Sequence, residues 1–323
     1  MLALTRRSLL CGAVLLPLAA RAQNWPAGVI KIVVPFPPGG SVDAIARLVQ
    51  AGLQQRLGAT VIIENRGGAS GSIGAAVAAK AAPDGNTWLF AFDTHAVNPT
   101  LIPDLPFDTR KDLEPVLLIG TAPNILAAHP SRPYRTLADV IAAAKAKPDG
   151  ISYATIGAGS LGHLTMVLLS KRADTRLVHV PYRGGGPAVT DAVAGQVDLI
   201  IGSTALLNPH IQAGALRPIV QTGRRRAPAL SEVPTAIESG FEGFESITWW
   251  GVFVRAGTPK AIIDRFGADL AATLRDENVA KRLTETQQVT LSLAGPDEFR
   301  RFFDEQMRVW GAVVRENGIT GGS

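Results

Sequence analysis

Short β-branched runs that stop at proline or glycine recur along this chain, each followed by a segment whose apolar residues return every three or four positions. In the opening unit, Ile30, Ile32, Val33 and Val34 form a buried strand, residues 35–40 end it, and Ile45, Leu48, Val49 and Leu53 then recur at helical spacing. Ser41 is placed to cap that helix. A second strand at 61–64 runs into a glycine-rich stretch at 65–74 and an alanine-rich helix through Ala82, and a third at 87–92 ends in Asp93-Thr94-His95. Residues 98–115 read as irregular, followed by strands at 116–119 and 125–128 and a helix at 137–146. A second set follows: strands at 151–156, 177–180 and 197–201, each leading through a glycine turn into a helix, then a strand at 216–222. One more strand at 249–254 precedes a run of C-terminal helices from Thr258-Pro259 through Val314.

Strand, turn and helix alternating in this way predict an α/β protein with a mostly parallel sheet and helices on its faces. Two such halves imply two α/β lobes joined by two crossover strands. The expected organisation is 1–22 as an export signal, 23–122 as the first part of lobe 1, and 123–248 as lobe 2. Residues 249–323 then return to lobe 1. Ligands of such sheets collect at the carboxyl ends of the strands, where the loops at 35–43, 65–74 and 93–98 gather.

Residues 1–22 combine Arg6 and Arg7, an apolar run from Leu9 to Ala20, and a small-residue site at Ala20-Arg21-Ala22, predicting export with cleavage after Ala22. Thr5-Arg6-Arg7-Ser8-Leu9-Leu10 also resembles a twin-arginine signal. Periplasmic localisation follows. Removing Arg6, Arg7 and Arg21 leaves 29 basic against 27 acidic residues, so the net charge falls from +5 to +2. With Arg224-Arg225-Arg226 as the one basic cluster, nucleic acid is not indicated. The single cysteine, Cys11, lies inside the signal, which excludes disulfides, thiolate catalysis and cysteine metal sites from the mature chain.

The turn at Gly39-Gly40-Ser41 feeds a helix N-terminus, whose free N–H groups suit an anion. Gly157-Ala158-Gly159-Ser160-Leu161-Gly162 has dinucleotide spacing, but 178–183 offers no carboxylate for a ribose. What remains is a second helix N-terminus at Gly159 and Ser160, expected to face Gly39–Ser41 across one cavity. Ser70 lacks nucleophile-elbow spacing, and the five histidines show no metal-ligand spacing. No catalytic residue, metal or cofactor is therefore expected. An exported hydrolase or isomerase using Asp93, His95 or His163 stays open, as does a receptor serving signalling. Trp249 and Trp250 are expected on opposite faces of their strand, in core packing.

In order along the chain stand Val34-Pro35-Phe36-Pro37-Pro38-Gly39-Gly40-Ser41-Val42-Asp43, Glu64-Asn65-Arg66-Gly67-Gly68-Ala69 and Asn98-Pro99-Thr100-Leu101. Then come Gly159-Ser160-Leu161-Gly162-His163, Val180-Pro181-Tyr182-Arg183-Gly184-Gly185-Gly186-Pro187, Gly195-Gln196-Val197-Asp198, Pro209-His210-Ile211 and Ala256-Gly257-Thr258-Pro259. With these residues the chain resembles the Bug-type periplasmic solute-binding proteins, TctC-like receptors of tripartite tricarboxylate transporters. The resemblance implies a two-lobed, type II Venus-flytrap fold that captures a small organic carboxylate through backbone N–H groups and bound waters. It implies a monomer whose partners are that ligand and the transporter's membrane subunits. Carried over by position, Phe36, Pro38, Gly39, Gly40, Ser41, Ser70, Asp93, Thr94 and His95 would line lobe 1. Ser160, with Gly159 beside it, Tyr182, Gly202, Ser203 and Thr204 would line lobe 2. The family's usual Phe-Asp pair is here Ile201 and Gly202, which favours a carboxylate with a neutral or aromatic remainder over an amino acid.

Overall fold

The computed structural model describes residues 25–320, and the expected signal at 1–22 lies outside them. The first lobe opens with β1 (Ile30–Val34), α1 (Ser41–Leu57), β2 (Val61–Asn65), α2 (Ser72–Ala79), β3 (Thr87–Phe92) and α3 (Thr94–Leu101). Strand β4 (Leu113–Ala128) carries the chain into the second lobe, built from α4 (Leu137–Ala146), β5 (Ser152–Thr155), α5 (Leu161–Ala173), β6 (Val178–Pro181) and α6 (Gly185–Val193). That lobe closes with β7 (Leu199–Ser203), α7 (Thr204–Gln212) and β8 (Arg217–Gln221). The chain returns through β9 (Ile247–Arg255) to α8 (Lys260–Leu274), α9 (Glu277–Lys281), β10 (Thr290–Ala294) and α10 (Pro296–Glu316). Among the described residues no helix is long and apolar enough to cross a membrane.

The sheet runs β2-β1-β3-β9-β4-β7-β5-β6, with β8 and β10 also paired to β4. Strands β1, β2 and β3 are mutually parallel, as are β5, β6 and β7, while β4 and β9 run antiparallel to their neighbours. Both faces of each lobe's sheet are covered, so inward residues alternate between two cores rather than between core and water. Ile30, Ile32 and Val34 join one cluster with Trp88, Phe90, Phe92 and Trp250, whereas Val33, Leu89, Ala91, Trp249 and Phe253 join the other. The two tryptophans thus fall on opposite faces, as the alternation demands.

Three elements differ from the sequence expectation. The strands expected at 116–119 and 125–128 are one 16-residue strand, because β9 pairs along it to Pro123 and β7 takes over from Asn124. Residues expected as a loop after Asp93 form α3, whose internal Pro99 hides the helical pattern. β10 interrupts the expected run of C-terminal helices and pairs with β4 so closely that a Cβ on Gly120 would lie 2.5 Å from the Thr290 carbonyl oxygen.

Candidate functional site

The turn after β1 is held by a carboxylate behind it. Asp43 Oδ2 accepts from the Gly39 N–H at 3.1 Å and from Arg47 Nε at 3.0 Å, and its Oδ1 accepts from Asn65 Nδ2 at 2.9 Å. Asn65 also donates to the Phe36 carbonyl at 3.0 Å, so one amide ties the start of the turn to the helix. Burial pushes the Asp43 carboxyl up, but these donors outweigh it and hold it below its ordinary value. Gly40, not Ser41, is the N-cap of α1, and the Ser41 hydroxyl accepts instead from the Trp250 indole N–H at 3.1 Å. The first-turn N–H groups of α1 keep no partner within their helix.

Facing them is α6. A Cβ on Gly40 would lie 3.8 Å from the Gly185 nitrogen, and one on Gly186 would lie 2.7 Å from the Pro38 carbonyl oxygen. A Cβ on Gly185 would lie 2.9 Å from Leu206 Cδ1 and 3.3 Å from Gly40 Cα. The Gly184-Gly185-Gly186 run therefore lets two backbones approach where side chains would separate the lobes. Each helix end carries roughly half a positive charge. Two such ends set against each other repel unless something negative lies between them.

A cavity of about 20 Å³ sits at this junction. That is room for about one water, so a larger guest requires the lobes to part. Gly40, Ser41 and Val42 of α1 and Gly185 of α6 line it, along with Gly162 of α5 and Gly202, Ser203 and Leu206 from the β7–α7 turn. Phe36, Phe92, Ile156 and Ile201 form apolar walls, and Asp93 and Asn124 complete it. Among the described residues Asp93 is the one titratable side chain in this lining.

Of the residues named from the sequence, Phe36, Gly40, Ser41, Asp93, Gly202 and Ser203 line the cavity; Pro38, Gly39, Ser70, Thr94, His95, Gly159, Ser160, Tyr182 and Thr204 do not. Pro38 and Gly39 meet Gly186 at the lobe contact beside it. Ser70 donates across the lobes to the Ala158 carbonyl at 2.7 Å. Gly159 presses on Leu101, and the Ser160 hydroxyl caps α5 by accepting from the His163 N–H at 3.4 Å. The Tyr182 hydroxyl donates to Asp191 at 2.7 Å, and Thr204 lies against Gln288, its hydroxyl 3.5 Å from that carbonyl. The partner facing the N-terminus of α1 is thus that of α6, while the Leu161 N–H of α5 faces the Asp93 carboxyl.

Val42, Phe92, Asn124, Ile156, Gly162, Gly185, Ile201 and Leu206 line the cavity without having been singled out as ligand-contacting. The glycine run at 184–186 was the legible signal; the apolar members carry no mark that separates a cavity wall from a core. The Ile201-Gly202 departure from the family pattern does fall in the lining.

The buried titratable groups separate into two kinds. Burial pushes the Asp93 carboxyl up to about 7, opposed by the Thr248 hydroxyl and the Leu161 and Thr94 N–H groups. Burial pushes His95 down to about 3, His163 to about 4 and His179 to about 3. His95 packs among Phe107, Phe253 and Phe303 in lobe 1. His163 stacks on His179 with centroids 3.8 Å apart and accepts from the Gly159 N–H at 3.0 Å. Neither His95 nor His163 reaches the cavity, so of the three residues a hydrolase or isomerase reading could use, Asp93 alone lines it. No group of three or more His, Cys, Asp or Glu among the described residues is placed to hold a metal ion.

Two lobes on a shared sheet, with helix N-termini meeting in the cleft between them, make the two-lobed fold of the periplasmic binding proteins. The chain belongs to the tripartite tricarboxylate transporter family receptors, whose family model matches residues 45–319. It is 35% identical over 299 residues to the protein BugT of Bordetella pertussis, covering 92% of this chain and 91% of that one. Among solved structures it is similar to R. palustris Rpa4515 with adipate, at TM-score 0.87 and 32% identity, covering 92% of this chain and 99% of that one. It is also similar to MatC (Rpa3494) from Rhodopseudomonas palustris with bound malate, at TM-score 0.84 and 32% identity, covering 90% and 100%.

Proposed function

We propose that this protein is a periplasmic receptor whose lobes close on a small organic carboxylate and deliver it to the membrane subunits of a tripartite tricarboxylate-type transporter. The observation that carries this reading is the opposition of the α1 and α6 N-termini at a cavity whose lining has no basic side chain. A carboxylate between them accepts from backbone N–H groups of both lobes and removes the repulsion that opposes closure. Rpa4515 with adipate and MatC with bound malate support the ligand class. Export by the segment at 1–22 places the receptor in the periplasm, and no turnover of the ligand is expected.

A thermal-shift screen over mono-, di- and aromatic carboxylates tests this. A ligand at about 100 times its Kd adds about 2.7 kcal/mol of stability, a rise of several degrees in Tm. A screen in which no carboxylate raises Tm, or in which one is converted to product, overturns the proposal.

A further inference from the structure

Asp93 is unusual for an anion receptor. It stands at the end of β3, 2% exposed, in the wall of the cavity that receives the ligand. Its Oδ2 accepts from the Thr248 hydroxyl of β9, while its Oδ1 is buried with no hydrogen-bond partner. Buried carboxylate oxygens are almost always paired, so an orphaned one in a ligand cavity is an acceptor waiting for a donor. The Leu161 and Thr94 N–H groups face the carboxyl but neither completes a hydrogen bond to Oδ1, and Phe36, Phe92, Ile156, Ile201 and Leu206 are apolar. Asn124 directs its Nδ2 to Ser246 Oγ at 3.4 Å, and the Ser203 and Ser41 hydroxyls, which accept from the Leu206 and Trp250 N–H groups, make no hydrogen bond to Oδ1.

We infer that Asp93 makes this receptor selective for a monocarboxylate whose apolar body ends in a neutral hydrogen-bond donor, an ω-hydroxy acid being the simplest form. The inference rests on the carboxylate-receptor reading above. The ligand's carboxylate lies at the α1 and α6 ends, its methylenes lie against the apolar walls, and its hydroxyl donates to Asp93 Oδ1. A dicarboxylate of the same length sets its second carboxylate against Asp93 in a water-poor site, where two like charges cannot both persist and one must take up a proton. A simple fatty acid avoids that repulsion but leaves Oδ1 unpaired. No other charged group enters the balance. Asp43 and Arg47 on α1 pair with each other outside the lining, and His95 on α3 points into aromatic rings. The facing residues of α5, α6, α7, β4 and β9 are uncharged.

Calorimetric titration of the mature chain with ω-hydroxy acids, diacids and fatty acids of about four to eight carbons tests this, at about pH 8 and about pH 6, either side of the Asp93 value. At the higher pH the best hydroxy acid binds about tenfold or more tighter than the diacid and the fatty acid of its length. At the lower pH the diacid gains on it. Asp93→Asn, which keeps the shape and can still pair with Thr248, raises diacid affinity about tenfold and removes the pH dependence. A wild-type protein that binds a diacid as tightly as the hydroxy acid at the higher pH overturns the selectivity and leaves the receptor reading standing. So does a variant with an unchanged ligand order. Binding of nothing in the series overturns the selectivity, and the receptor reading falls with it where no aromatic carboxylate raises Tm either.

Discussion

Gly186 is the residue on which closure turns most directly. Its backbone meets the Pro38 carbonyl across the cleft, and a methyl group there would sit 2.7 Å from that oxygen. Neither atom belongs to a flexible side chain, so Gly186→Ala keeps the lobes apart rather than shifting a rotamer. We expect a tenfold or greater loss of ligand affinity in calorimetric titration, with an unchanged Tm for the free protein. Asp43→Ala acts from behind: losing the acceptor for Gly39, Arg47 and Asn65 frees the binding turn. Destabilisation of about 1–3 kcal/mol in urea unfolding, together with weaker binding, is the expected outcome. Asp43 and Asn65 were visible in the sequence only as members of a motif. Their bonding is invisible there because it joins residues 22 positions apart on separate elements. Ser41 shows the converse limit. A serine before a helix reads as its cap, yet the Trp250 indole, 209 positions away, claims its hydroxyl.

Among strands and helices, those with strong periodicity were legible and those defined by their partners were not. β1, β3 and β9 announce themselves as apolar runs, and α1 and α8 as amphipathic ones. β10 is a strand because β4 lies beside it, and α3 is a helix despite Pro99. The lobe-2 counterpart of α1 was ambiguous for a related reason. Glycine turns open α5, α6 and α7 alike, and only the folded chain shows that α5 already faces Asp93 while α6 meets α1. Packing between elements supplies a separate test. Gly251 of β9 lies under the Phe299 ring of α10, so Gly251→Ala forces a fully buried ring to move. Overpacking of this kind costs about 1–3 kcal/mol. Guanidinium unfolding should register that loss while the ligand's Kd stays constant, because Phe299 belongs to the core on the other side of the sheet from Phe36 and Phe92.

The molecule's response to pH follows from its buried titratable groups. His95, His163 and His179 are held well below their ordinary value, so they are neutral when folded and take up protons on unfolding as pH drops below about 6.5. That stability is lost as pH falls toward about 4. Asp93 works in the opposite sense: raised to about 7, it is protonated when folded and releases its proton on unfolding, so its contribution falls as pH rises from about 4 to about 7. Near pH 5 the histidines win, and unfolding takes up about two protons net. Denaturant midpoints should therefore fall between about pH 6.5 and about pH 4, and His163→Gln should flatten the slope.

Strand β4 carries a further consequence for how the protein comes apart. It is bonded to β9 and β10 along its first half and to β7 and β8 along its second, so each lobe's sheet loses an inner strand, paired on both sides, if the other lobe's half is pulled away. An apolar cluster joining Val97 and Leu101 to Leu161, Leu164 and Trp310 adds a second bond between the halves. Although the chain holds separate cores, scanning calorimetry should record one heat-absorption peak, with van't Hoff and calorimetric enthalpies in agreement. Cutting such a chain between its halves would give fragments that do not survive alone, and partial unfolding offers proteases no intermediate to attack.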